Sequence, residues 1–70
     1  SNVNVRLERP ANLSLVVTNM TGQKVIEINK GHVPAQNHVF TIDATNLQSG
    51  VYFYTVTAGE SQVTRKMIVE

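Results

Sequence analysis

The acidic side chains that could take part in catalysis are few and widely separated along the chain. General acid–base catalysis needs carboxyl groups held close to each other or to a substrate proton, and no spacing among these acids suggests such a pair, although folding could still bring two together. Because charged residues are mostly exposed, we expect all five to be solvated surface groups. The acids are Glu8, Glu27, Asp43, Glu60 and Glu70.

The two histidines are the best metal-ligand candidates in a chain without cysteine: His32 lies near the start of the segment 31–37, and His38 directly follows it. A zinc site needs three or four protein ligands, and the nearest additional side chains are only the amides of Gln36 and Asn37. We therefore expect both histidines to have ordinary loop roles, with no metal and no cofactor. The chain also lacks a nucleophile elbow and a glycine-rich phosphate loop, so we expect it not to be an enzyme.

Charge and length exclude several other functions. Six basic and five acidic residues give a net charge of +1, which provides no electrostatic basis for binding nucleic acid or an anionic membrane surface. No apolar run approaches the roughly 20 residues of a transmembrane helix, so we expect no nucleic acid partner and no direct membrane insertion. Seventy residues make one small domain, and we expect this domain to be part of a longer polypeptide.

The segment from Ser49 to Ala58 contains three of the four aromatic residues and is the strongest strand candidate. Large side chains alternate onto both of its faces, which predicts a central strand covered on both sides. The tyrosines on one face could form a sugar-stacking platform, but their position among aliphatic residues favours a role in the core. One face carries Tyr52, Tyr54 and Val56, and the other carries Val51, Phe53 and Thr55.

Alternation of apolar and polar residues predicts five more strands, and nothing in the chain has helical periodicity. A hairpin should join residues 13–29 through a turn at Gly22, residues 30–37 should form a loop, and residues 44–49 should connect tightly and bury Leu47. This pattern predicts an all-β, immunoglobulin-like antiparallel sandwich of six to seven strands, or alternatively a small barrel. The further predicted strands cover residues 3–7, 13–18, 25–28, 39–43 and 62–69.

The first and last strands should form the edges of this sandwich. Exposed strand edges pair readily with other chains, so a strand-exchange dimer is possible. The adjacent cations Arg65 and Lys66 are typical of an edge strand that guards against aggregation.

Three segments, in this order and spacing, resemble a known family. Residues 20–25 (Met-Thr-Gly-Gln-Lys-Val) are similar to its strand–turn–strand signature, residues 47–56 to its Leu-x-Ser-Gly-Val-Tyr strand, and residues 64–70 to its ending of a lysine followed by a short apolar run. Together they resemble the C-terminal sorting domain of cargo proteins of the type IX (Por) secretion system of Bacteroidetes. The resemblance runs from about Val3 to Glu70, which makes residues 1–70 a single domain.

The resemblance implies a non-catalytic signal that targets its cargo from the periplasm through the outer-membrane translocon of the type IX system. It further implies removal by a surface sortase and a final location at the cell surface or in the medium. Matching family-motif positions are Gly22, Gly50, Tyr52 and Val56. The positions matching the terminal segment recognised by the translocon and sortase are Lys66, Met67, Ile68, Val69 and Glu70.

One family feature is missing, and two other functions remain open. Many members have a Tyr-Pro-Asn-Pro stretch before the first strand, whereas the stretch Arg9–Asn12 here lies between predicted strands. A structural scaffold module like that of the flagellar hook-capping protein is one alternative function. A carbohydrate-binding module of a secreted enzyme is another.

Overall fold

The computed structural model describes residues 1–70 and contains six strands in two antiparallel sheets, with no helix. One sheet has the order β1-β4 and the other has the order β3-β2-β5-β6. Two separate sheets confirm the predicted sandwich rather than a barrel. No helix in the chain is long and apolar enough to cross a membrane. The strands are β1 (Asn2–Arg6), β2 (Ala11–Thr18), β3 (Lys24–Val33), β4 (Asn37–Thr41), β5 (Gly50–Ala58) and β6 (Ser61–Val69).

The core lies between the inner faces of the two sheets. In β2, the alternate residues Leu13, Leu15 and Val17 are completely buried, and Phe40 and Ile42 meet them from the side of the smaller sheet. The period of two along each strand places every second residue inside, so the sequence alternation fixes which face each strand buries. The remaining buried apolar residues are Leu7, Tyr52 and Met67.

Strand β5 is central in its sheet, as predicted, because it pairs with β2 on one side and with β6 on the other. The expectation that both of its faces are covered is wrong. The outward residues Val51, Phe53 and Thr55 are only half-buried and lie outside the core cluster. The two-stranded sheet packs on the inner face alone, so the outer face of β5 meets solvent.

Strand β3 is longer than predicted, because Gly31 forms a bulge rather than a loop. Pairing with β2 continues to Val33, and its register skips Lys30. The Asn29 side-chain oxygen accepts a hydrogen bond from the Gly31 N–H at 2.8 Å, at a Gly31 φ of 71°. The skipped Lys30 extends to β4, where its Nζ donates to the Val39 carbonyl at 2.7 Å.

The connection between β4 and β5 consists of tight turns, as predicted. Leu47 is half-buried against the core, as predicted, and its N–H donates to the Ala44 carbonyl at 3.0 Å. The Asp43 carboxylate accepts hydrogen bonds from the Thr45 hydroxyl and, at 3.0 Å, from the Thr45 N–H. An aspartate that accepts from the backbone two residues further on forms a local turn that orders the loop.

The two hydrogen bonds from Thr45 generate a prediction about pH. Side-chain and then backbone hydrogen bonding by Thr45 lower the pKa of Asp43 below its ordinary value of 3.8 because they favour the ionised form. The stabilisation from Asp43 is therefore present above the ordinary value and is lost as the pH falls through the lowered pKa. An NMR titration of the Asp43 carboxyl carbon should show a low midpoint, and Thr45→Val should raise it. Equal midpoints in both proteins would refute the role of the hydroxyl.

Candidate functional site

The predicted family-motif and terminal residues gather largely at one end of the sandwich. Residues 19–21 of the β2–β3 turn lie beside residues 48–52 around a shallow depression of about 280 Å³. Gly50, the first residue of β5, pairs with Val69 near the end of β6. We call this surface the turn end and define it as residues 19–23, 48–52 and 66–70. It joins all three segments on which the family resemblance depends.

The turn at residues 19–23 is held by the side chain of Asn19. Its oxygen accepts hydrogen bonds from the N–H groups of Thr21 at 3.0 Å and Gln23 at 2.9 Å, and from the Thr21 hydroxyl at 2.8 Å. Gly22 closes the turn with a φ of 85°, which L side chains rarely adopt, and a Cβ there would meet open space. Its role is therefore one of backbone conformation.

Tyr52 and Val56 contribute to packing rather than to an exposed contact surface. Tyr52 is buried opposite Met67 of β6, and its hydroxyl donates to the Gln48 carbonyl at 2.8 Å, which ties the preceding loop to the sheet. Val56 and Tyr54 are half-buried on the same inner face and pack against the core. The predicted core role of the tyrosines is therefore confirmed.

The predicted terminal recognition residues divide between the two faces of the sheet. Met67 is buried in the core and Val69 is half-buried against it. Lys66 and Ile68 point to the outer face, where Ile68 is 61% exposed, and Glu70 follows the strand in an exposed position. Three of the five residues are thus exposed, and the other two anchor the strand in the core.

The sequence did not indicate that an apolar strip adjoins these terminal residues on the outer face. Val51 pairs with Ile68 and Phe53 pairs with Lys66, and residues directly opposite in an antiparallel pair share a face. We call Val51, Phe53, Lys66 and Ile68 the outer strip. The large apolar side chains on both faces of β5 could have indicated this strip, but they are also typical of a strand that is covered on both sides.

Both histidines lie in strands, contrary to the expectation of a loop. His32 is exposed in β3, whereas His38 in β4 is buried and its Nε2 is 2.8 Å from the Pro34 carbonyl. A ring nitrogen that meets a backbone carbonyl serves as a hydrogen-bond donor, so His38 fastens the β3–β4 connection. The structure contains no group of three or more histidine, cysteine or acidic residues placed to hold a metal ion.

The five acids are all exposed, as expected. Glu8 forms an ion pair with Arg6 at 3.4 Å, and Glu27 forms one with Lys24 at 3.6 Å. Pairs that are this exposed contribute little to stability.

The fold is a small immunoglobulin-like β-sandwich. The three segments that carry the family resemblance meet at its turn end. The family model for the secretion system C-terminal sorting domain matches residues 1–70, and the chain belongs to this family. Searches of curated proteins and of solved structures gave no match. Membership implies interaction with the type IX secretion machinery and export to the cell surface or medium.

The buried hydroxyl of Tyr52 generates a stability prediction. Tyr52→Phe should lose one hydrogen bond and cost about 1 kcal/mol of unfolding free energy. Tyr52→Ala should cost about 3–5 kcal/mol, because it also leaves a cavity, and could unfold a domain of this size. Urea denaturation measures both, with Tyr54→Phe as the matched control. Equal effects of the two phenylalanine substitutions would contradict the role of the bond to Gln48.

Proposed function

We propose that this domain is a non-catalytic sorting signal that carries its cargo from the periplasm through the outer-membrane translocon of the type IX system and is removed by a surface sortase. The match of the whole chain to the sorting-domain family carries this proposal. The exposed positions of Lys66, Ile68 and Glu70 at the turn end support it further. A sorting signal must present side chains to its receptor while it remains folded, and these residues meet that requirement.

Recognition of β6 has two components. The strand pairs with β5 along one edge only, so its other edge is free to accept a strand of the receptor, and such strand addition provides affinity through main-chain hydrogen bonds. The outer strip provides specificity through side chains, because Ile68 continues an apolar surface with Val51 and Phe53 beside the cation of Lys66. Met67 and Val69 act as positioning residues, because burying them turns Ile68 outward.

The alternative functions lead to different expectations. A scaffold module would tolerate changes at the outer strip as long as the domain folds. A carbohydrate-binding module would need an exposed aromatic platform, whereas Tyr52 and Tyr54 face inward and Phe53 is half-buried on the outer face.

The test is a secretion assay that separates recognition from folding. Deleting residues 66–70 would also remove Met67 from the core, so single outward substitutions are sharper. In a reporter fused to this domain, Ile68→Asn and Lys66→Glu should each reduce type IX-dependent delivery to the surface or medium by roughly tenfold, equivalent to ~1.4 kcal/mol of receptor binding. The undelivered reporter should accumulate in the periplasm.

The matched control is Val39→Asn, because Val39 is 46% exposed on β4 of the other sheet. It should leave delivery unchanged. Normal delivery of a folded Lys66→Glu/Ile68→Asn double variant would overturn recognition through the outer strip. Mass spectrometry of the delivered reporter tests the sortase separately, and a product that retains the domain would refute its removal.

A further inference from the structure

We propose that β6 is a detachable strand, which separates from β5 as one unit while the other five strands stay folded, and that recognition of the outer strip requires β6 to be closed. The outer strip is complete only in the closed form, because Val51 and Phe53 lie on β5 whereas Lys66 and Ile68 lie on β6. Detachment therefore removes the surface that a receptor contacts, and closure restores it. The consequence for sorting rests on the proposed function, whereas detachment itself rests on the structure alone.

The strand β6 has little contact with the core. All residues from 61 to 66 are exposed, Met67 is the only buried residue of the strand, and Val69 is half-buried. The completely buried side chains belong to β2, to β4 and to Ile42 directly after β4. They stay enclosed between the two sheets when β6 leaves. Segments with few buried apolar contacts open at a lower free energy than the core of the same domain.

A cleft separates the first half of β6 from the smaller sheet. It has a volume of about 290 Å³, and it is lined by Val3 and Val5 of β1 and by Val63 and Arg65 of β6. Val63 is 48% exposed although it shares the inner face with Met67, because the two-stranded sheet does not cover it. The smaller sheet therefore does not hold this half of β6 in place.

The hydrogen bonds that join β6 to other elements all go to β5. The strand pairs with β5 alone, and its side-chain bonds to another strand link Thr64 to Thr55 at 2.9 Å and Gln62 to Thr57 at 3.5 Å. The edge strand β3, by contrast, is also fastened across the sandwich, because Lys30 donates to the Val39 carbonyl of β4. Detachment of β6 therefore breaks one ladder and no hydrogen bond between other strands.

The backbone of β5 divides its hydrogen bonds between two neighbours. The Gly59 N–H, directly after β5, donates to the Asn12 carbonyl of β2 at 2.9 Å. Because successive residues direct their backbone groups to opposite edges of a strand, the odd-numbered residues of β5 bond to β2 and the even-numbered ones bond to β6. The amides of Tyr54 and Val56 lose their partners when β6 detaches, whereas the amide of Thr55 between them keeps its partner.

Hydrogen exchange of the chain, followed by NMR, tests detachment residue by residue. Protection factors of the Tyr54 and Val56 amides should be roughly a hundredfold lower than that of the Thr55 amide. They should share the denaturant dependence of the Arg65 and Met67 amides, which bond to β5. Equal protection of the odd-numbered and even-numbered amides of β5 would show that β6 opens only when the whole domain unfolds, and would overturn the proposal.

A disulfide between the two strands tests whether detachment causes this difference. The Thr55 and Thr64 hydroxyls are 2.9 Å apart on the outer face, so Thr55→Cys/Thr64→Cys places two thiols within reach of a disulfide. In the oxidised variant, the Tyr54 and Val56 amides should become as protected as the amide of residue 55. The matched control, Thr55→Ser/Thr64→Ser, should keep the difference. A difference that persists in the crosslinked protein would overturn detachment as its cause.

The consequence for sorting is tested by rescue in the reporter assay. Met67→Ala removes the main anchor of β6 and leaves the outer strip unchanged, so it should lower the protection of the β6 amides by about tenfold or more and reduce delivery severalfold. Adding the cysteine pair, which can oxidise in the periplasm, should restore delivery because the crosslink closes β6 again. Adding the serine pair should not restore it.

Circular dichroism shows whether each variant is folded, and thiol labelling shows whether the crosslink has formed. Delivery that stays low in the folded, crosslinked Met67→Ala variant would overturn the requirement for closure. The exchange measurements use the chain without a receptor, so they do not depend on the proposed function. That function is refuted separately, by normal delivery of the Lys66→Glu/Ile68→Asn variant.

Discussion

Burial of the alternate residues of β2 between the two sheets is the interaction on which this small domain depends. The chain has no disulfide, so apolar packing carries most of its stability. Leu13, Leu15 and Val17 are fully buried, and Phe40 and Ile42 meet them across the sandwich. A slip of one residue in any paired strand would turn its apolar set to solvent. The alternation of apolar and polar residues therefore determines the register of β3 and β5 on β2, and of β6 on β5.

This constraint extends to the surface at the turn end. β5 is registered on β2, and β6 on β5, so Met67 lies opposite Tyr52 in the core and Ile68 lies opposite Val51 outside. The exposure of Ile68 is thus a consequence of the burial of Met67 beside it. Along residues 66–70, exposed residues therefore alternate with buried or half-buried ones. Truncation of β6 would remove Met67 from the core together with Ile68, so it cannot separate the proposed role in recognition from folding.

The alternation of apolar and polar residues along the sequence predicted the strands correctly. It did not predict how many strands each sheet contains, or which strand faces therefore remain uncovered. The six strands, the hairpin through Gly22 and the family were all predicted correctly. The β3 bulge was missed because Gly31 next to Lys30 resembles a loop signal as much as a bulge. The bare outer face of β5 was missed because large residues on two faces are typical of a covered strand. The family motif predicted residues 66–70 as a single recognition segment, because a motif match does not distinguish buried from exposed residues.

The unequal size of the two sheets explains where the remaining apolar surface lies. A domain of 70 residues has much surface for its volume, and a two-stranded sheet cannot cover both faces of a four-stranded one. The uncovered apolar side chains are not spread evenly: Val51, Phe53 and Ile68 lie together on the outer face, and Val63 borders the cleft beside β1. Lysine and arginine accompany both surfaces, at Lys66 and Arg65. Clustered apolar surface beside a charged residue is typical of a contact site, and the two clusters face opposite sides of β6.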